Sequence, residues 1–204
     1  MRKGRVPGIY TNYEDVIVQI QRYRGAEYRR FDNYSDAMHY HNPSINVQKH
    51  PSQSEILMQF DGGSRGNPGK AGSGVIIKDK HNRCWEGYKY LGDNITNNFA
   101  EYEGLIIGLK YLRYHNLLEH AVEVQGDSKL VINQMLGNWE CRDKILQEKR
   151  AEALELIGSA TSIAFTWIPR EDNSHADKLS NDAMDTEATC ILYNVAMQQP
   201  RAQN

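Results

Sequence analysis

Three short apolar stretches stand in a row before any segment of helical period: Glu55–Asp61 (EILMQFD), Gly72–Lys78 (GSGVIIK) and Cys84–Leu91 (CWEGYKYL). The first breaks at Gly62-Gly63, and the polar run Asp79–Arg83 joins the second to the third. That spacing predicts three antiparallel strands linked by tight turns. The period then changes. Across Asn98–Tyr114 the residues Ala100, Leu105, Ile106, Leu109 and Leu112 recur at helical spacing. A strand (Ala121–Gly126), two helices (Ser128–Leu136 and Ile145–Ile157), a strand (Ile163–Ile168) and a last helix (Asn173–Met184) follow. The order β-β-β-α-β-α-α-β-α predicts an α/β domain, a mixed five-stranded sheet with flanking helices.

The rest of the 204-residue chain is organised around that domain, residues 55–185. Residues 1–42 carry aromatic residues and arginines at short intervals and form a separate N-terminal module. Residues 43–54 (PSINVQKHPSQS) are polar with two prolines and read as a linker. In the tail, 186–204, the stretch Ala188–Met197 is expected to add a helical turn or two, and Gln198–Asn204 to be disordered. A net charge of -2 excludes a uniformly basic coat, so nucleic-acid contacts have to come from local patches. Cys84, Cys141 and Cys190 are widely spaced and odd in number, which speaks against a zinc site or a disulfide framework. A reducing intracellular setting is the default, with nucleus, cytoplasm and organelle undistinguished. No apolar run approaches membrane-spanning length, so no membrane partner is expected. Met1–Arg5 lacks the apolar stretch of a signal peptide, which leaves a cleaved organellar leader open. A monomer is expected, because no helical seam or strand run offers an interface.

Four acidic residues occupy positions unlike ordinary surface charges. Asp61 ends the first strand, Glu101 lies early in a helix, Asp127 follows the fourth strand and Asp177 sits in the last helix. Strand ends are where ligand sites gather in α/β sheets. Like-charge repulsion opposes gathering four carboxylates. Divalent cations with hard oxygen ligands remove that cost, and two of them can drive phosphodiester hydrolysis. Taken singly, each acid is as easily a cap as a ligand. The flanking residues tip the balance. Asp61–Gly69 (DGGSRGNPG) is a glycine-dense turn whose backbone N–H groups can approach a phosphate or sugar. Thr96-Asn97-Asn98 can cap the following helix and offer amides to a nucleic-acid backbone.

The strings FDGGSRGNPG, TNNFAEYEGL, GDSKLVINQ and REDNSHADKLSNDA, in this order across residues 55–185, resemble the catalytic domain of type 1 ribonuclease H. The resemblance implies a ribonuclease H-like α/β fold and endonucleolytic hydrolysis of the RNA strand of RNA–DNA hybrids. The ends left would be 5′-phosphate and 3′-hydroxyl. It implies two Mg2+ ions, replaceable by Mn2+, held by the catalytic carboxylates Asp61, Glu101, Asp127 and Asp177. Glu103 competes for the second position. Glu101 is preferred because it follows Asn97-Asn98 at the family's spacing, which leaves Glu103 a structural or solvent role. Substrate-side residues carried over are Gly62, Ser64, Asn67, Thr96, Asn97, Asn98 and Asn133, with Asn67 and Thr96 seating a DNA phosphate. The loop Trp167–Asn173 is short and lacks the histidine of the familiar bacterial and animal enzymes, as in the archaeal and plant-like branch. Arg170 is expected to do part of that work. His175 lies within the last helix, where a lone histidine is more often structural than catalytic. The long basic helix-loop of some relatives is missing: Gly137–Lys144 offers only Arg142 and Lys144, with Trp139 expected to pack.

The N-terminal strings RKGRVPGIY and AEYRRF, with Tyr13 between them and Ser35-Asp36-Ala37 opening a second helix, resemble a second family. It is the small α+β hybrid-binding, viroplasmin-like domain that precedes the catalytic domain in eukaryotic ribonucleases H. Tyr13 and Tyr28 offer flat faces, and Arg29 and Arg30 offer guanidinium forks for phosphates. Shape and 2′-hydroxyl contacts would distinguish a hybrid from duplex DNA. Tyr10 and Phe31 fall on the core side of the alternation. The chain has Tyr13 where the family has tryptophan. The family's first strand would precede Arg2, so a truncated and marginally stable module is expected. Two alternatives remain. One is a non-catalytic protein that binds RNA–DNA hybrid or double-stranded RNA, against which the four intact acids speak. The other is a related fold acting on DNA, against which Asn97-Asn98 and GGSRGNPG speak.

Overall fold

The computed structural model describes residues 1–30, 54–158, 160 and 162–195. Phe31, the Ser35-Asp36-Ala37 helix start, linker residues 43–53 and Gln198–Asn204 lie outside the described residues. In the N-terminal region, α1 (Tyr13–Ile20) begins where the Asn12 side chain accepts from the Glu14 N–H at 2.8 Å. An antiparallel bridge pairs Lys3 with Glu27, and the two side chains also form an ion pair. Tyr10 is half-buried and donates its hydroxyl to the Val6 carbonyl at 2.6 Å. Tyr13 and Tyr28 are exposed, at 65% and 48%.

The larger unit is a sheet of six strands, side by side in the order β5 (Ile163–Trp167), β4 (Val122–Gly126), β1 (Ile56–Arg65), β2 (Gly69–Asp79), β3 (Cys84–Ile95) and β6 (Cys190–Val195). β1, β2 and β3 form the expected antiparallel meander. β4 and β5 add to it in parallel. Two expectations are corrected. β1 does not stop at Gly62-Gly63: both glycines stay in the ladder, opposite Ser73 and Gly72, and the chain turns only after Arg65. The sheet also has six strands rather than five, because the tail is not helical. β6 runs antiparallel to β3, and the Tyr90 N–H donates to the Ala188 carbonyl at 3.1 Å. An uncovered β3 would present unpaired backbone groups, and a Cys-Ile-Leu-Tyr run suits a strand better than a frayed helix end.

Helices cover both faces. α2 (Asn97–Tyr114), α3 (Lys129–Met135) and α4 (Lys144–Ile157) lie on one side. There Leu105, Leu109 and Leu112 meet Met58, Phe60 and Val75 in the main core. Each such fully buried side chain is worth about 2 kcal/mol of apolar burial. α5 (Ser174–Thr186) covers the other face, where Ala176 and Leu179 pack on Ile76 and Cys84. Among the described residues no helix is long and apolar enough to cross a membrane.

Candidate active site

The parallel pairing of β1 with β4 ends at Gln59 and Gln125 and brings Asp61 and Asp127 side by side: Asp61 lies inside β1 rather than at its end as expected, just past that pairing, and Asp127 stands one residue past the last residue of β4. Glu101 reaches the same place from the first turns of α2. Gly62 makes this possible. A Cβ there would stand 2.1 Å from the Ala100 backbone carbon, so only glycine lets the helix lie this close to the strand. The structure therefore places Gly62 under α2, buried, with a packing duty rather than an open phosphate-facing backbone. One oxygen each of Asp61, Glu101 and Asp127 lies within 4.8 Å of the others.

The electrostatics follow from this crowding. Asp61 is 5% exposed and its pKa is pushed up to about 6. Burial is the main cause, and the Asp127 and Asp177 charges add to it while a Ser180 hydrogen bond opposes them. Glu101 is pushed well above the usual carboxylate range, first by burial and then by Asp61 and Asp127. Its Oε2 is buried with no hydrogen-bond partner among the described residues. Hard, converging, partly unpaired carboxylate oxygens fit a divalent cation such as Mg2+, which supplies the charge that this site lacks.

Asp177 stands beside this cluster on α5. Its carboxylate forms an ion pair with Arg170, at the start of the short 3-10 turn Arg170–Asn173, and accepts from Asn181 Nδ2 at 3.2 Å. Two residues here escaped the sequence reading. Asn173 is fully buried and donates Nδ2 to Asp127 Oδ1 at 2.8 Å and to the Phe60 carbonyl at 2.9 Å. Ser180 Oγ lies 2.5 Å from Asp61 Oδ2 and 2.8 Å from the Asp177 carbonyl. Their only sequence signal is spacing: four residues before Asp177 and three after it put both near its helix face.

The substrate-side residues divide. Ser64, Asn67, Thr96 and Asn97 are brought together. Asn67 Oδ1 accepts from the Asn97 N–H at 2.9 Å, and Asn97 Oδ1 accepts from the Ser64 N–H at 3.2 Å. Thr96 caps α2 by accepting from the Phe99 N–H at 3.4 Å. With its oxygen engaged, Asn67 keeps its amide N–H groups for a ligand. Asn98 is half-buried in the first turn of α2. Asn133 belongs to α3, where it donates to the Lys129 carbonyl at 2.8 Å and accepts from Asn138 at 3.1 Å. Glu103 turns from the cluster to Lys89 (2.8 Å) and Lys149 (2.5 Å). Burial alone would raise its pKa, but the two ammonium groups outweigh that and hold it low. His175 Nε2 meets Glu86 Oε1 at 2.8 Å, a contact with β3 rather than with the carboxylates. Trp139, expected to pack, is 47% exposed, while Cys141 in the same loop is the residue that reaches the main core.

A mixed sheet with one acid inside its central strand and one just past the end of the parallel neighbour, joined by a glutamate from the covering helix, defines a ribonuclease H-like domain. Residues 59–183 match the family described as reverse transcriptase-like, and residues 1–41 match the ribonuclease H1 N-terminal domain. The chain belongs to this family, on its type 1 ribonuclease H side. Ribonuclease HI of Halobacterium salinarum is 39% identical over 127 residues, 62% of each chain. The bifunctional protein Rv2228c of Mycobacterium tuberculosis is 40% identical over 135 residues, 66% of this chain. The chain spans only 36% of that relative's length. Among solved structures, the N-terminal RNase H domain of Rv2228c aligns with a TM-score of 0.60 at 38% identity, covering 66% of this chain and 96% of that one. LC11-RNase H1 in complex with RNA/DNA hybrid aligns with a TM-score of 0.61 at 40% identity, covering 65% and 98%.

Proposed function

We propose that this chain hydrolyses the RNA strand of RNA–DNA hybrids in a divalent-metal-dependent reaction, leaving 5′-phosphate and 3′-hydroxyl ends. The observation that carries the proposal is the convergence of buried Asp61 and Glu101 with half-buried Asp127, with a buried Glu101 oxygen that has no hydrogen-bond partner among the described residues. The similarity to a type 1 enzyme crystallised with an RNA/DNA hybrid supports the substrate class.

In this reading Asp61, Glu101, Asp127 and Asp177 hold two Mg2+ ions, for which Mn2+ can substitute. Bound there, the ions would supply Lewis acidity to activate water and to stabilise the leaving oxygen. Asn173 and Ser180 keep the carboxylates aimed. Arg170, exposed and already beside Asp177, offers its guanidinium to a substrate phosphate. Asn67 and Thr96 seat a phosphate of the DNA strand, and Asn97, Asn98 and Asn133 present amides to the hybrid backbone and minor groove. In the N-terminal module the exposed Tyr13 and Tyr28 rings and the exposed Arg29 and Arg30 side chains bind the hybrid.

The test is incubation of the protein with end-labelled hybrid, single-stranded RNA and duplex DNA, in Mg2+ and in chelator. Cleavage of RNA only within the hybrid, abolished by chelator, is the expected result. Retention of hybrid without cleavage in both Mg2+ and Mn2+ would instead make this a binding protein.

A further inference from the structure

We infer that Trp167 is a positioning residue for Asp127, holding the main chain of that metal ligand through its indole N–H; the inference rests on the metal-dependent reading above. Asp127 stands just beyond regular structure. The β4–β5 ladder ends at the pair Gly126 and Trp167, and the Ile168 N–H closes it by donating to the Gly126 carbonyl at 3.1 Å. The residue before Asp127 has to be glycine, because a Cβ on Gly126 would lie 2.6 Å from the Phe60 ring. Gly126 is held in the ladder by its backbone but has no side chain to help fix the residue that follows it. Two tethers replace the ladder. Asn173 holds the Asp127 carboxylate at 2.8 Å, and Trp167 Nε1 donates to the Asp127 carbonyl at 3.0 Å.

The tryptophan is itself held in place. Lys129 Nζ lies 4.5 Å from the centre of its ring. Lys129 is the first residue of α3, where the positive end of the helix disfavours a cation, and the ring face offsets that placement. The ring nevertheless remains 41% exposed beside the carboxylates, so its contribution to the core is limited. Three carboxylate oxygens within 4.8 Å leave little tolerance for drift in one of the chains that carry them.

The test uses the full chain and reads free Mn2+ by electron paramagnetic resonance, with thermal unfolding in chelator as a second readout. Trp167→Phe keeps an aromatic ring for Lys129 and removes the donor along with the second ring of the indole. Its Mn2+ affinity is expected to fall roughly three- to tenfold, the range that one hydrogen bond supplies. Lys129→Met keeps the donor and is expected to show no such weakening. Unchanged Mn2+ affinity in Trp167→Phe overturns the inference, whether or not the unfolding midpoint falls. Equal weakening in Lys129→Met overturns it too, by assigning the effect to the ring–lysine pair. Absence of Mn2+ binding by the unaltered protein would instead remove the metal-dependent reading on which the inference rests.

Discussion

Replacing Asp61 by asparagine should make the metal-free protein more stable while abolishing hydrolysis. Asp61 is 5% exposed, and burial together with Asp127 and Asp177 lifts its pKa from 3.8 to about 6. At about 1.36 kcal/mol per pH unit, keeping this carboxylate ionised at pH 7 costs the metal-free fold about 3 kcal/mol. Asp61→Asn keeps the shape and removes the charge, and the Ser180 hydroxyl can accept from the new amide. For a chain of this length each kcal/mol moves the unfolding midpoint by about 2–4 °C, so Tm should rise by roughly 6–12 °C in chelator at pH 7. The sign of the pH dependence follows from the raised pKa. The folded state holds an extra proton between about pH 4 and pH 6, so the unaltered protein loses stability as pH rises through that window. The variant lacks that loss, so its advantage should be small at pH 4 and complete by pH 7. Added Mg2+ should stabilise the unaltered protein more than the variant, and hybrid binding should persist in both. Calorimetry at four pH values with chelator or Mg2+, beside a cleavage assay, checks all of this. No stability gain at pH 7, or a gain independent of pH, would refute the burial-and-repulsion reasoning. Normal cleavage by the variant in Mg2+ would refute Asp61 as a ligand.

Glu103→Gln should cost about 1–2 kcal/mol in urea unfolding, since two half-exposed lysines lose a buried partner, while turnover is retained; Glu101→Gln should instead lose turnover, and the reverse pattern would exchange their roles. Gly62→Ala should cost at least about 3 kcal/mol, because its Cβ meets backbone rather than a side chain that can move; circular-dichroism melting near the unaltered midpoint would show that α2 is not so close to β1. Removing residues 187–204 strips β6 from β3 and should lower Tm by roughly 5 °C and promote aggregation, read by melting and light scattering. Cleavage per folded molecule should survive this deletion, since β6 lies at the sheet edge remote from β4.

The order of elements is legible in the chain, because helical and strand periods alternate cleanly from Glu55 to Met184. The four acids to watch are legible there too, because Asp61, Glu101, Asp127 and Asp177 sit within motifs local in the chain; the structure gathers the first three, with Asp177 beside them. Glu101 could be preferred to Glu103 on spacing alone, but the reason it wins is tertiary: Lys89 and Lys149 claim Glu103 from two other elements. The tail was misread because a six-residue strand is decided by the edge that it joins, here β3, which its own sequence does not contain. Gly62 read as a flexible, ligand-facing glycine until α2 was laid across it. Ser180, Asn173 and Trp167 carried no decisive local signal. Each reaches the site through a hydrogen bond to a residue tens of positions away, as Asn173 and Trp167 do with Asp127, or more than a hundred, as Ser180 does with Asp61 and Asn173 with the Phe60 carbonyl. Periodicity and turn chemistry are set between near neighbours in the chain, whereas the aim of a side chain in the site is set by whatever the completed sheet and helices bring beside it.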